Sequence, residues 1–286
     1  MFPASFGYLP ARSVEEALDL LGKHGEEAKL LAGGHSLIPA MKLRLASPKY
    51  LIDLGTVAGL SGVRIDGDAL AIGALTVHAD IVHSDLVRQR VPALSDAAGV
   101  IGDVQVRNRG TIGGSSAHAD PAADFPVILT ALDASFVAVS RSGKRTIPVD
   151  DFFVDYYTTA LAPDEVLTEI RVPLPASGAG TAYHKMANPA SGYVVVSAGA
   201  LVARDPSGKC VAARVAVGGL GGRPLRPAAL EAALRGKALT PEVIAAAASK
   251  AAEGADPDDE LYASAEYKRH MAAVLARRAI ESASKK

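Results

Sequence analysis

The sequence predicts an α+β protein in two parts: an N-terminal part made of two small subdomains, and a C-terminal part of strands followed by helices. Three observations predict it. Helical and strand-like runs are short and interleaved up to about Pro175. Pro173, Pro175, Gly178 and Gly180 then mark a composition shift that reads as a linker. Beyond them strands come first and helices last, an order that suits a sheet covered by helices. The 286 residues agree with two domains at roughly 150 residues each. The expected division is 1–176, with subdomains of about 1–55 and 56–176, followed by 177–286.

The elements follow in order. Ser13 and Glu16 have capping-box spacing ahead of Ala17, Leu18, Leu20 and Leu21, so a helix starts there. Residues 29–31 form a short strand that runs straight into Ala32-Gly33-Gly34-His35-Ser36. A helix over 37–45 and a strand over 50–54 complete the first subdomain. In the second, 69–74 alternates as a strand, and 77–98 reads as helix in pieces broken at Pro92. Residues 109–115 hold too many glycines for a helix. Asp120-Pro121 predicts an N-cap and first helical position, with 125–132 continuing that helix. Residues 136–140 and 166–172 close the subdomain as strands. In the C-terminal part, 183–187, 194–204 and 210–218 are strand-like, and Asp205-Pro206-Ser207-Gly208 is a turn between the last two. Thr240-Pro241 caps one helix. Another covers 265–282, with Tyr267, Met271, Val274 and Leu275 as its apolar stripe.

Composition narrows the function. Hydrophobic residues make up 49% and charged residues 21%, which suits a packed globular chain and excludes an extended disordered one. Thirty Lys and Arg stand against thirty-one Asp and Glu, so no global pull toward nucleic acid or anionic membrane is expected. With no Trp, six Phe and eight Tyr, a stacking surface for single strands is not expected either. One cysteine excludes a disulfide scaffold, a cysteine-built zinc site and an iron–sulfur cluster held by this chain alone. The N-terminus lacks a basic region before an apolar stretch. The longest mostly apolar run, near 193–203, falls short of the ~20 residues a membrane span needs. The expectation is a cytoplasmic protein that does not span a membrane.

Two stretches carry chemistry: Ala32-Gly33-Gly34-His35-Ser36 and Thr111-Ile112-Gly113-Gly114-Ser115. Each sets adjacent glycines before a hydroxyl residue. Glycines permit positive φ and a close approach of backbone to ligand. Successive exposed N–H groups then make an anion-binding concavity that needs no lysine, and a hydroxyl adds a donor. Two such turns in two subdomains suit the two halves of a pyrophosphate. A lone turn of this kind reads as a tight structural loop. Neither G-x-x-x-x-G-K-[ST] nor G-x-G-x-x-G occurs, so a P-loop and a standard Rossmann site are unsupported. Gly34-His35-Ser36 is no nucleophile elbow, since Ile38 stands where glycine is required. His35, His118 and Asp120 lack the clustering of a metal site, and His78 and His83 read as surface groups. Cys210 reads as a small apolar strand residue. Arg269, Arg277 and Arg278 read as a solvated face or a partner contact.

These turns resemble the FAD-binding medium subunits of molybdenum hydroxylases, specifically the carbon monoxide dehydrogenase type. The resemblance rests on 32–39, Met41-Lys42-Leu43-Arg44, 111–115 with Asp120, Pro121 and Asp124, and on the tail at 265–268 and 274–279. It implies a vanillyl-alcohol-oxidase-like FAD domain of two subdomains, then a C-terminal domain with an antiparallel sheet and helices. Carried over by position, Ala32, Gly33, Gly34, His35, Ser36 and Leu37 would hold the FAD pyrophosphate from one side. Thr111, Gly113, Gly114 and Ser115 would close it from the other. Asp124 would accept from ribose hydroxyls, Leu161 and Lys185 would border the flavin or adenine, and Tyr193 would cover one isoalloxazine face. Ser115 departs from the asparagine common in relatives. Without the resemblance, Tyr193 reads as a core or turn aromatic and Asp124 as charge complementing a helix dipole. The family also implies a large molybdenum-cofactor subunit and a small subunit with two [2Fe–2S] clusters. The assembly would be a dimer of heterotrimers in the cytoplasm, peripheral to the inner membrane face through the complex. Electron transfer through FAD is then the expected role, with no acid or base for substrate oxidation here. A related aldehyde or N-heterocycle dehydrogenase subunit, a self-contained flavin oxidase and a non-redox nucleotide-binding scaffold are the alternatives.

Overall fold

The computed structural model describes residues 2–285. The chain opens with β1 (Gly7–Pro10), α1 (Val14–His24), β2 (Ala28–Leu31), α2 (Leu37–Lys42) and β3 (Tyr50–Asp53). The Ser13 hydroxyl caps α1 by accepting the Glu16 N–H, and the Glu16 carboxylate accepts the Arg12 N–H at 2.7 Å. The helix buries Ala17, Leu18 and Leu21 against Ile52, Leu54 and Val57. The three strands pair in the order β1-β3-β2, all parallel. Leu31 and Asp53 lie side by side at their carboxyl ends, the edge where parallel sheets present ligand loops. The first glycine turn leaves from Leu31. Helix α2 stops at Lys42, short of the expected 45, with Arg44 in the left-handed region (φ 63°).

The second subdomain runs through β4 (Val63–Asp66), β5 (Ala69–Gly73), α3 (His78–His83), α4 (Asp85–Arg90), α5 (Pro92–Gly99), α6 (Val104–Arg107), α7 (Ile112–His118), α8 (Asp124–Ala131), β6 (Ser135–Ser140), β7 (Gly143–Pro148), α9 (Val149–Phe152), β8 (Phe153–Asp155), β9 (Thr158–Thr159) and β10 (Val166–Pro173). Strands β4-β5-β10-β6-β7 form one antiparallel sheet. Pro92 starts α5, where its missing N–H costs nothing. Two sequence expectations are corrected here. The second glycine turn is helical, as the start of α7, with extended Thr111 as its cap. Helix α8 begins at Asp124, not at Asp120-Pro121: Ala119 is left-handed (φ 48°) and Asp120 accepts the Ala122 N–H in a local turn. Every residue of α8 is buried.

The C-terminal part is an antiparallel sheet of β11 (Ala179–Ala187), β12 (Val194–Arg204) and β13 (Cys210–Gly218), then α10 (Ala228–Leu234), α11 (Pro241–Ala248) and α12 (Ala265–Ala283). Helix α8 packs on one face of this sheet, where a Cβ on Gly199 would stand 3.0 Å from the Ala131 methyl. Helix α12 packs on β11 and β12 with Ala272, Leu275, Ala276, Ala279 and Ile280 buried. The buried stripe is thus richer in alanine than the expected one, and Tyr267 stays half exposed. Small residues let the helix lie close to the sheet. No helix among the described residues is long and apolar enough to cross a membrane.

Candidate functional site

The two glycine turns abut. A Cβ added to Gly33 would overlap the Arg109 carbonyl and lie 2.9 Å from Gly110 Cα. A Cβ on Gly114 would lie 3.7 Å from the Ala32 methyl. The first turn therefore sits backbone-to-backbone on the segment leading into the second, and only glycine permits it. Gly34 is left-handed at φ 75°. Among the described residues, the chain's own hydrogen bonds leave the N–H groups of Gly33, Gly34, His35, Ser36 and Leu37 unclaimed. The His35 ring folds back to the Gly33 carbonyl, 3.1 Å from Nδ1.

The second turn differs. The Ile112 N–H bonds the Thr76 carbonyl, Gly113 bonds Ala74, Gly114 bonds the Thr111 hydroxyl oxygen and Ser115 bonds the Thr111 carbonyl. The first two amides dock α7 onto the segment after β5 and the next two close its own first turn, so the open nest expected at this turn is absent. The Ser115 hydroxyl, half-buried, has no hydrogen-bond partner among the described residues. Beside the first turn is a cavity of about 350 Å³. Its walls include Gly33, Gly34 and His35, the apolar Ile38 and Pro39, and the cations Lys42 and Arg109.

Asp124 and Lys185 are brought together rather than aimed separately at a ligand. The Lys185 ammonium lies 2.9 and 3.0 Å from the two Asp124 carboxylate oxygens, and both side chains are almost wholly buried. Lys185 also donates to the Val100 carbonyl, and the Tyr183 hydroxyl donates to Asp124 at 2.8 Å. Burial pushes the Asp124 carboxyl above its ordinary range, against the pull of Lys185 and Tyr183. Burial likewise raises the Tyr183 phenol well above its usual value. The network pins the end of α5 and strand β11 to the first turn of α8.

Tyr193 precedes β12 with its ring half exposed. The Val194 N–H bonds the Ala122 carbonyl, and across the same bend the Tyr157 N–H bonds the Ala119 carbonyl. Two half-exposed tyrosines therefore border the segment joining α7 to α8. Leu161 is partly buried just after β9 and packs on the main core.

The family model for the FAD-binding domain of molybdopterin dehydrogenases matches residues 4–175, and that for the C-terminal domain of carbon monoxide dehydrogenase flavoproteins matches 181–283. The chain belongs to this flavoprotein family. It is 43% identical to the carbon monoxide dehydrogenase medium chain of Hydrogenophaga pseudoflava, over 99% of this chain and 98% of that one. It is 40% identical to the alpha subunit of the 6-hydroxypseudooxynicotine dehydrogenase complex of Paenarthrobacter nicotinovorans, over 99% and 96%. A solved structure of carbon monoxide dehydrogenase from Hydrogenophaga pseudoflava, lacking the Mo-pyranopterin moiety, superposes with a TM-score of 0.96 at 44% identity, covering 99% of this chain and 98% of that one.

The donor set of this flavoprotein fits a dinucleotide. Unclaimed amides and two cations at one cavity are the groups a diphosphate needs. Sequence reasoning missed two residues of the cavity wall and one buried imidazole behind it. Lys42 and Arg109 flank the glycine motifs, but their approach depends on the packing of two subdomains. His78, expected on the surface, is 4% exposed, with its ring edge-on to Phe125 and Nδ1 unbonded among the described residues. A Cβ on Gly110 would strike its Nε2 at 2.6 Å. Burial, reinforced by His35 and Arg107, lowers its pKa to about 4. The only sequence signal for it was its place at a helix start.

Proposed function

We propose that this chain is the FAD-carrying medium subunit of a heterotrimeric molybdenum hydroxylase, most simply of the carbon monoxide dehydrogenase type, paired as a dimer of heterotrimers in the cytoplasm. The observation that carries the reading is the pair of abutting turns with unclaimed amides at the cavity wall. The amides of Gly33–Leu37 hold the diphosphate, and the Thr111 and Ser115 side chains with the start of α7 close it from the second subdomain. Ala32 and Gly114 keep the two turns in contact. Asp124 accepts from the ribose hydroxyls beside its ion pair with Lys185, which borders the flavin or adenine. Tyr193 covers the isoalloxazine, and Leu161 borders it. Bound FAD supplies one-electron acceptance and two-electron release. The domain boundary lies at 176/177, between β10 and β11. Iron–sulfur clusters and molybdenum belong to a small and a large partner chain, and the complex meets the inner membrane face peripherally.

The kinship to a 6-hydroxypseudooxynicotine dehydrogenase subunit supports a second reading, an N-heterocycle or aldehyde dehydrogenase, since substrate choice would lie in the absent large subunit. A visible spectrum of the purified native complex with metal analysis tests the proposal. Flavin bands with molybdenum and iron are expected; a colourless chain that purifies alone would overturn it.

A further inference from the structure

We propose that Lys42 and Arg109 form a two-sided cationic clamp that makes this site select flavin nucleotides by their diphosphate. The inference rests on the FAD reading above and goes beyond it to the source of selectivity. Lys42 ends α2 in the first subdomain, while Arg109 stands immediately before the second glycine turn in the second. Both line the one cavity that also exposes Gly33 and Gly34. Neither side chain has a carboxylate partner among the described residues, whereas the buried Lys185 and Lys268 each do. Asp53, the one carboxylate in the cavity wall, is already engaged: its oxygens accept the Tyr8 hydroxyl at 2.6 Å and the Gly55 N–H at 2.8 Å.

The electrostatics agree. Two unpaired cations and a row of amide dipoles face a space with one acid, so an anion entering it gains charge-assisted hydrogen bonds from both sides. Because the cations belong to different subdomains, a diphosphate between them fastens the two together. Riboflavin has no charge to place there. FMN has its phosphate but lacks the second phosphoryl group and the adenosine that continue FAD past it.

The test uses the full chain stripped of flavin, titrated with FAD, ADP and riboflavin and followed by flavin fluorescence and calorimetry. Lys42→Gln and Arg109→Gln are each expected to weaken FAD and ADP about tenfold or more, to flatten the salt dependence of binding, and to leave riboflavin binding unchanged. Lys42→Arg and Arg109→Lys should restore most of the loss. Wild-type FAD binding with unchanged affinity and salt dependence in both Gln variants would overturn the clamp while leaving the FAD reading intact. Equal weakening of riboflavin would also overturn it, because the cations would then be shaping the fold. Failure of wild type to bind FAD would instead sink the parent reading.

Discussion

Gly33 has room for a hydrogen and nothing larger, because the Arg109 carbonyl occupies the space a Cβ would take. Gly33→Ala should force the two turns apart at a cost of about 1–3 kcal/mol. The flavin-to-protein ratio after purification should fall well below that of wild type while the circular dichroism spectrum persists; full flavin content would contradict the placement of the turns. His78 is the other residue whose environment sets a measurable number. Its folded pKa of about 4 lies below the ordinary value of 6.5. The stability gained from its neutral form is therefore complete above pH 6.5. It is lost as pH falls from 6.5 toward 4, because the unfolded chain takes up a proton that the folded imidazole refuses. At 1.36 kcal/mol per unit this is ~3 kcal/mol. Between pH 7 and pH 4, wild type should lose about that much more unfolding free energy than His78→Gln, read from denaturant midpoints at each pH; parallel curves would count against it.

At the scale of elements, two ionic groups tie separate pieces of chain together. Asp124 at the start of α8 holds Lys185 of β11, and Glu231 of α10 takes a bidentate grip from Arg226 while accepting the Val215 N–H of β13. Removing one partner of a buried pair strands the other, which costs about 3–5 kcal/mol. Lys185→Met should therefore lower the unfolding midpoint sharply, and the double variant Asp124→Asn with Lys185→Met should recover much of the loss. A double variant no better than the single would show that the pair adds nothing as a pair. The same elements explain which parts of the fold could be read in advance. The Ser13 cap, the Asp205 turn and the Thr240 cap depend on residues within a few positions, and the structure has them where local chemistry puts them. Helix α7 was misread because glycine propensity was weighed without Ala74, whose methyl and carbonyl would meet a Cβ on Gly113 at 2.5 Å. Strands β1, β4 and β7 were not anticipated: each is short, and each lies at a sheet edge with exposed residues. The burial of His78 and the pairing of Asp124 with Lys185 were not legible for a related reason. Their partners lie tens of residues away, and periodicity carries no information about them.

At the scale of the whole molecule, the distribution of cofactor ligands decides where substrate can be oxidised. A [2Fe–2S] cluster takes four protein ligands, generally thiolates. This chain has one cysteine, Cys210, which is buried in β13 with its thiol pushed up by burial and directed at the Ala212 carbonyl. One thiol cannot supply the four ligands of a cluster, and in the proposed complex the clusters that feed the flavin lie in a partner chain. Tyr157 and Tyr193, both half-exposed, border the bend between α7 and α8, and the proposed function makes that bend the edge at which a partner would approach the flavin. Two outcomes follow for the purified chain loaded with FAD. Dithionite should bleach its visible bands. Carbon monoxide, aldehydes and N-heterocycles, each with a dye acceptor, should give no turnover above the buffer rate until the large and small chains are added. Steady turnover by the lone chain would place substrate chemistry within these residues and refute the division of labour. Tyr193→Ala separates rim from scaffold in the same preparation. Its melting temperature should match wild type while its flavin fluorescence rises, because an aromatic face that quenches by stacking has gone. An unchanged emission spectrum would remove Tyr193 from the flavin's surroundings and leave the electron entry point to be sought elsewhere on the cleft.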